Sequence, residues 1–107
     1  MWLATKYGFF SIIQKKPDEY YLRARIKKDL ENLKSKAEIP EDIKIWDSAD
    51  YKYRLIINKN QVKAVFEILA DSIDYANFKG KISELPDQKE KSHSYHKIWE
   101  IMYNHQR

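Results

Sequence analysis

The chain contains no cysteine, so disulfide bonds, thiolate metal ligands and thiol chemistry are excluded. Glycine occurs only at Gly8 and Gly80, which leaves no glycine-rich loop to cradle a nucleotide phosphate. No apolar run approaches the roughly 18 residues that span a bilayer, and the start has no basic leader before an apolar run. We therefore expect a soluble, cytoplasmic protein.

The composition is that of a small folded domain with a modest basic surplus. The 107 residues are 43% hydrophobic and include three Trp, eight Tyr and four Phe, which is enough for one core. Lys and Arg number 20 against 16 acidic residues, so the formal net charge is +4. Such a surplus suits phosphate-rich partners without requiring them. We predict a single domain over residues 1–107.

Two segments with strict strand alternation carry many of the basic residues. In residues 20–26 one face is apolar and the other carries tyrosine and arginine. Residues 51–57 repeat this pattern, with an apolar face that includes Tyr51 and Tyr53 and a second face that is basic. If both strands lie in one sheet, their polar faces form a basic plate. The plate consists of Tyr21, Arg23, Arg25, Lys52 and Arg54.

Other patterns predict the remaining elements. Residues 7–13 are apolar on both strand faces, which is typical of a central strand. Gly8 within this segment indicates a bulge or a close backbone approach. Apolar residues at helical spacing predict three helices, over residues 26–37, 62–73 and 95–103.

These elements predict an α+β fold, with a three-stranded, mainly antiparallel sheet in the chain order β-β-α-β-α-α, backed by helices. A right-handed crossover through the first helix would place the third strand parallel to the second. The segment at 7–13 would then be central, and the expected sheet order is 2-1-3. In that order the two basic strands flank an aromatic centre supplied by Phe9 or Phe10.

The basic plate is the first candidate site. Its cations suit phosphates, and the ring of Tyr21 suits stacking on a base. The structural alternative is a solvated sheet face, where long Arg and Lys stems cover the strands and their charges reach water. The chain lacks the glycine- and aromatic-rich signature of RNA-recognition domains and has one predicted strand too few for them.

A second candidate lies in the segment 74–88, which has no clear period. A turn over residues 74–81 would present Asn77, Lys79 and Lys81 to a ligand. The structural alternative is an Asx-type turn with Tyr75 and Phe78 packed inward. The surrounding lysines lack the spacing of a phosphate-binding P-loop, so the signal is weak.

Metal binding and catalysis have less support. His93, His96 and Glu100 share one helical face, but they lack the H-E-x-x-H pattern, so a solvated face with a His96–Glu100 contact is favoured. An enzyme would need Asp50 or Asp74 to meet His96 in a pocket. We predict no metal, no cofactor and no catalytic residue.

Several short motifs are combined in this chain: Tyr7-Gly8-Phe9-Phe10-Ser11, Arg23-Ala24-Arg25, Asp50-Tyr51-Lys52-Tyr53-Arg54 and Asp74-Tyr75-Ala76-Asn77-Phe78-Lys79. On these motifs the sequence resembles, over nearly its whole length, a family of small uncharacterised bacterial proteins. That family has no established activity. The resemblance therefore implies a bacterial or phage setting and assigns no functional residue.

We predict a small intracellular binding or regulatory domain that recognises nucleic acid or another phosphate-bearing ligand through the basic plate. The alternative is a protein-interaction module, for instance a homodimer, that uses the same face or the edge of the third strand. An enzyme of unknown class ranks third. The choice depends on whether the C-terminal helix covers the plate.

Overall fold

The computed structural model describes all residues 1–107, which divide into two compact units, Met1–Ile73 and Asp74–Arg107. The strands of the first unit are β1 (Trp2–Thr5), β2 (Gly8–Lys16), β3 (Glu19–Ala24), β4 (Lys44–Ile45) and β5 (Tyr53–Ile57). They form one antiparallel sheet in the order β1-β2-β3-β5-β4. Helices α1 (Lys27–Lys36) and α2 (Lys59–Asp71) complete this unit. The predicted α+β class is confirmed.

The core of the first unit lies between the two helices and one face of the sheet. Alternate strand residues point to this face, and the apolar stripes of α1 and α2 pack against them. Leu22 and Leu55 are directly paired on neighbouring strands and are fully buried. The core contains Phe10, Ile12, Leu22, Ala24, Leu30, Leu33, Leu55, Ile57, Val62, Val65 and Leu69.

The start of α2 is fixed by side chains from two parts of the chain. Asn58 Oδ1 accepts a hydrogen bond from the backbone N–H of Gln61 at 2.9 Å, and Gln61 Oε1 accepts one from the N–H of Asn58 at 2.8 Å. This reciprocal pair is a capping box. Asp18, in the β2–β3 turn, accepts the N–H of Lys59 at 2.9 Å. The hairpin and the helix are thereby joined.

The predicted three-stranded sheet and its 2-1-3 order are wrong. β3 pairs directly with β5, and β2 lies on the other side of β3. Residues 2–13 turn at residues 6 and 7, so that β1 runs along the outer edge of β2. β2 is therefore apolar on both faces because it is interior, between β1 and β3. The parallel crossover is also absent, because α1 leads into the β4–β5 hairpin and β5 returns antiparallel to β3.

Gly8 permits a close approach between the first hairpin and α1. Its φ is +153°, and a Cβ placed there would lie 2.3 Å from the Cβ of Asp29. Asp29 is buried in α1, and its carboxylate accepts the N–H of Phe9 at 3.2 Å. The hydroxyl of Thr5 closes the turn by donating to the carbonyl of Gly8 at 2.9 Å. Gly8 was predicted to mark either a bulge or a close backbone approach, and the close approach is confirmed.

The second unit contains α3 (Phe78–Glu84), a short 3-10 helix (Lys89–Lys91) and α4 (Ser92–Tyr103). Ile82 and Tyr95 are buried, and the rings of Phe78 and Tyr95 meet at 5.0 Å between centroids. The remaining large apolar residues of α4 are exposed, namely Ile98, Trp99, Ile101, Met102 and Tyr103. None of the helices combines the length and the apolar character that a membrane span needs.

Candidate functional site

Arg23 and Arg54 lie directly opposite each other on β3 and β5, on the sheet face away from the core. Arg25 follows β3 at the next position of the same alternation. The predicted strand order would have kept these side chains apart, whereas the observed order brings them together. Like charges that face each other across two strands are destabilising unless other groups compensate.

The ring of Tyr51 contacts two of these arginines. The Cζ atoms of Arg23 and Arg25 lie 4.6 and 4.0 Å from the ring centroid, within cation–π range. Asp50 accepts the N–H of Tyr51 at 3.0 Å and holds the preceding turn. Tyr51 was expected on the core face beside Tyr53. That expectation is wrong, because β5 begins at Tyr53 and the alternation does not extend into the turn.

Arg54 is enclosed by the β4–β5 hairpin. Its Cζ lies 3.9 Å from the centroid of Trp46, and its Nη2 donates to the carbonyl of Tyr51 at 2.7 Å. Tyr21 meets the Trp46 ring edge-on at 5.8 Å. The N–H of Trp46 donates to the carbonyl of Lys52 at 2.9 Å, which continues the hairpin beyond β4. As a result Arg54 is only 4% exposed.

None of these arginines forms an ion pair with a carboxylate, although Asp50 acts on Arg54 from a longer distance. No carboxylate lies within 4.0 Å of Arg23, Arg25 or Arg54. Burial lowers the pKa of Arg54 from its usual value and Arg23 lowers it further, while Tyr21 and Asp50 act in the opposite direction. A guanidinium nevertheless stays charged at neutral pH. The group therefore holds cationic charge partly out of water.

Three polar atoms in this group are buried without a hydrogen-bond partner in the protein: Arg23 Nε, Arg54 Nε and the Tyr51 hydroxyl. By contrast, Nη2 of Arg23 donates to Ser11 Oγ at 2.7 Å. A buried polar group without a partner costs about 1–3 kcal/mol. Grouped donors next to uncompensated charge favour an anion as their partner. We call Arg23, Arg25 and Arg54, with the rings of Trp46 and Tyr51, the arginine cluster.

The other two residues of the predicted plate lie at its margin. Lys52 is exposed and forms an ion pair with Asp47 at 3.4 Å, so its charge already has a partner. Tyr21 is half-buried, with Lys15 Nζ 5.6 Å from its ring centroid and Arg54 Cζ at the same distance. The structure thus groups the three arginines most closely.

Asn77 and Lys79 belong to the second unit and make local contacts there. Asn77 caps α3 by accepting the N–H of Gly80 at 2.8 Å. Lys79 Nζ lies 4.7 Å from the centroid of Trp99 and 3.4 Å from Nδ1 of His96. The Asn77 contact is a helix N-cap, and the contacts of Lys79 stabilise the pairing of α3 with α4.

The candidate metal ligands on α4 do not form a metal site. His96 Nε2 lies 3.2 Å from Glu100 Oε1, which is the predicted contact along the helix. Nowhere in the chain are three or more His, Asp or Glu side chains grouped to hold a metal ion. Both ring nitrogens of His96 have close neighbours, Lys79 and Glu100.

Sequence reasoning missed the two rings that organise the arginine cluster. A signal was present, because the polar run 47–50 separates two extended pieces, as in a hairpin. In a hairpin the strand alternation places Trp46 on the same face as Arg54. Trp2 was missed for a similar reason, since its position on this face depends on the unrecognised turn before Gly8.

Comparison with known proteins adds no relative. No protein-family model matches the chain, and no curated protein or solved structure gives a significant match. The resemblance to small bacterial proteins stays a prediction. Any functional conclusion therefore depends on the geometry and charge of the arginine cluster.

Proposed function

We propose that this protein binds nucleic acid or another phosphate-bearing ligand through the arginine cluster. The observation that supports this best is the grouping of Arg23, Arg25 and Arg54 on one sheet face, where none of them forms an ion pair with a carboxylate. A guanidinium binds phosphate through paired, charge-assisted hydrogen bonds. A phosphate group would neutralise charge that the fold leaves uncompensated.

The aromatic rings add to this argument because they restrict the guanidinium groups before any ligand arrives. Trp46 and the carbonyl of Tyr51 hold Arg54 on two sides. Tyr51 orients Arg25, which is exposed and therefore accessible. A side chain that is already ordered loses less conformational freedom on binding.

Protein recognition is the alternative use of this surface. One version of it, pairing of a partner with the edge of the third predicted strand, is restricted to the second half of β5, because β4 already pairs with Tyr53 and Arg54 on that side. An acidic partner at the arginine cluster would also lose affinity in salt. The two functions differ in one result: if the partner is an acidic protein, no phosphate-bearing probe should bind.

The test is a binding titration with inorganic pyrophosphate, ATP and a labelled single-stranded oligonucleotide, performed at several salt concentrations. We expect at least one probe to bind. For two or three phosphate contacts on a single strand, the affinity should fall about 10-fold between about 50 and 200 mM salt. The double variant Arg23→Ala/Arg25→Ala should lose at least about 10-fold in affinity.

The matched control is Lys28→Ala/Lys36→Ala, which removes the same charge from exposed positions on α1, on the opposite side of the sheet. It should change affinity by less than about twofold, since the Debye length of about 10 Å screens distant surface charges. Far-UV circular dichroism checks that both double variants are folded. Unchanged affinity in Arg23→Ala/Arg25→Ala would show that the proposal is wrong.

A further inference from the structure

A single row of side chains crosses the whole sheet on the face that carries the arginines. The strand registers pair Trp2 with Ser11, Ser11 with Arg23, Arg23 with Arg54 and Arg54 with Lys44. Directly paired residues in an antiparallel sheet point to the same face. We call these five residues the cross-sheet row. Because neighbouring strands are about 4.8 Å apart, the row is about 19 Å long.

The two ends of the row have different chemistry. Trp2 is 75% exposed, and its ring is supported by Phe9 at 6.3 Å between centroids. Ser11, next in the row, is buried and accepts a hydrogen bond from Arg23. The other three positions are Arg23, Arg54 and Lys44, all cationic. The row therefore has an exposed ring at one end, the buried and neutral Ser11 next to it, and three consecutive cationic residues at the other end, of which Arg54 is buried.

We infer that the ligand is a single-stranded nucleic acid that lies along the cross-sheet row, with a base stacked on Trp2. Its phosphates are held by Arg23 and Lys44, and the buried charge of Arg54 lies between them. This inference depends on the proposed function and specifies its ligand. The nucleic acid crosses the β-strands, because the cations occur at one level on successive strands.

A single strand fits this surface better than a duplex. Its unpaired bases expose faces that stack on aromatic side chains, whereas bases in a duplex are already stacked on each other. Trp46, which is 41% exposed and lies two residues beyond Lys44, provides a second ring near the cationic end. A row about 19 Å long corresponds to the short site sizes, from about four nucleotides, of single-strand-binding domains.

The test compares an oligothymidine of about 12 nucleotides with pyrophosphate on the full chain, by fluorescence anisotropy and calorimetry respectively. Trp2→Ala should weaken oligonucleotide binding by about fivefold or more, because base–aromatic stacking contributes about 1–3 kcal/mol. Trp2→Phe should restore most of this loss. Pyrophosphate affinity should be unchanged in both variants, since neither alters a cation.

Phe66→Ala is the control, since it removes an exposed aromatic ring from α2, which packs on the opposite face of the sheet, and should leave both affinities unchanged. If Trp2→Ala binds oligothymidine as the unaltered protein does, or if a duplex of equal length binds more tightly, this inference is wrong and the proposed function stands. If the unaltered protein binds neither of these probes nor ATP, the proposed function itself is wrong. The two failures are thus distinguishable.

Discussion

In the first unit the apolar residues of one sheet face are almost completely enclosed, whereas in the second unit burial stops after the first turn of α4. Leu22 and Leu55 have no exposed surface, but Trp99 and Met102 are more than half exposed. The sheet of the first unit joins segments distant in sequence, so two helices can cover one continuous apolar face. The second unit contains no strand and comprises only residues Asp74–Arg107, and a chain this short buries a smaller fraction of its surface.

The two glycines offer the strongest test of this difference. Gly8→Ala places a Cβ 2.3 Å from the Cβ of Asp29, at a φ of +153°. Gly80→Ala, within α3, places a Cβ 3.4 Å from Oδ1 of the capping residue Asn77. We expect Gly8→Ala to lower the free energy of unfolding by about 4 kcal/mol, because backbone strain and overpacking each cost about 1–3 kcal/mol. Gly80→Ala should be neutral, or stabilising by up to about 1 kcal/mol.

Urea unfolding followed by circular dichroism measures both effects. The comparison fails if the two variants unfold at the same urea concentration as the unaltered protein. A large loss of stability in Gly80→Ala would mean that the second unit is packed more tightly than the exposure of α4 indicates.

Truncating one large apolar residue in each unit should give the next largest difference. Leu55→Ala should lower the free energy of unfolding by about 3 kcal/mol, since the side chain is fully buried and leaves a cavity. Trp99→Ala removes a larger side chain but should cost less than about 1 kcal/mol, because the residue is 51% exposed. Thermal or urea unfolding of the two variants checks this, and equal losses would contradict it.

The helix caps should give the smallest effects. Asn58→Ala removes one half of the capping box of α2 and should cost about 1 kcal/mol. Asn77→Ala removes a single bond at the start of the shorter α3, and we expect about 0.5 kcal/mol. Amide hydrogen exchange in the first turn of each helix measures the loss. The exposed Asn60→Ala is the control, and an effect equal to that of Asn58→Ala would exclude the capping explanation.

Local sequence patterns predicted the core face of the sheet and the longer helices. The strand order and the short elements depend on how the strands pair. Alternation placed Leu22 and Leu55 in the core, and helical spacing identified α2 through residues such as Val65. β1 and β4 were not predicted as separate strands, because strands of four and two residues carry little pattern of their own. α3 was not predicted for a related reason: Ile82 is its one buried residue, so it has no apolar stripe at helical spacing.

The candidate site was predicted by residue type but not by arrangement. Alternation alone placed Arg23 and Arg54 on one face of their strands. Their direct opposition depends on the strand order, and the packing of Trp46 and Tyr51 depends on a turn outside the alternating segments. Neither is encoded in a local period, because the first arises from pairing of the distant strands β3 and β5 and the second from the turn that joins β4 to β5.

The direct opposition of Arg23 and Arg54 makes this sheet locally frustrated in the free protein. A substitution that neutralises either arginine relieves the repulsion across the strands and also removes a cation from the cross-sheet row. At these two positions, removal of the charge therefore favours stability but lowers anion affinity. Where a neutral side chain keeps the packing against Trp46 or Tyr51, screening for heat resistance would select the loss of one arginine.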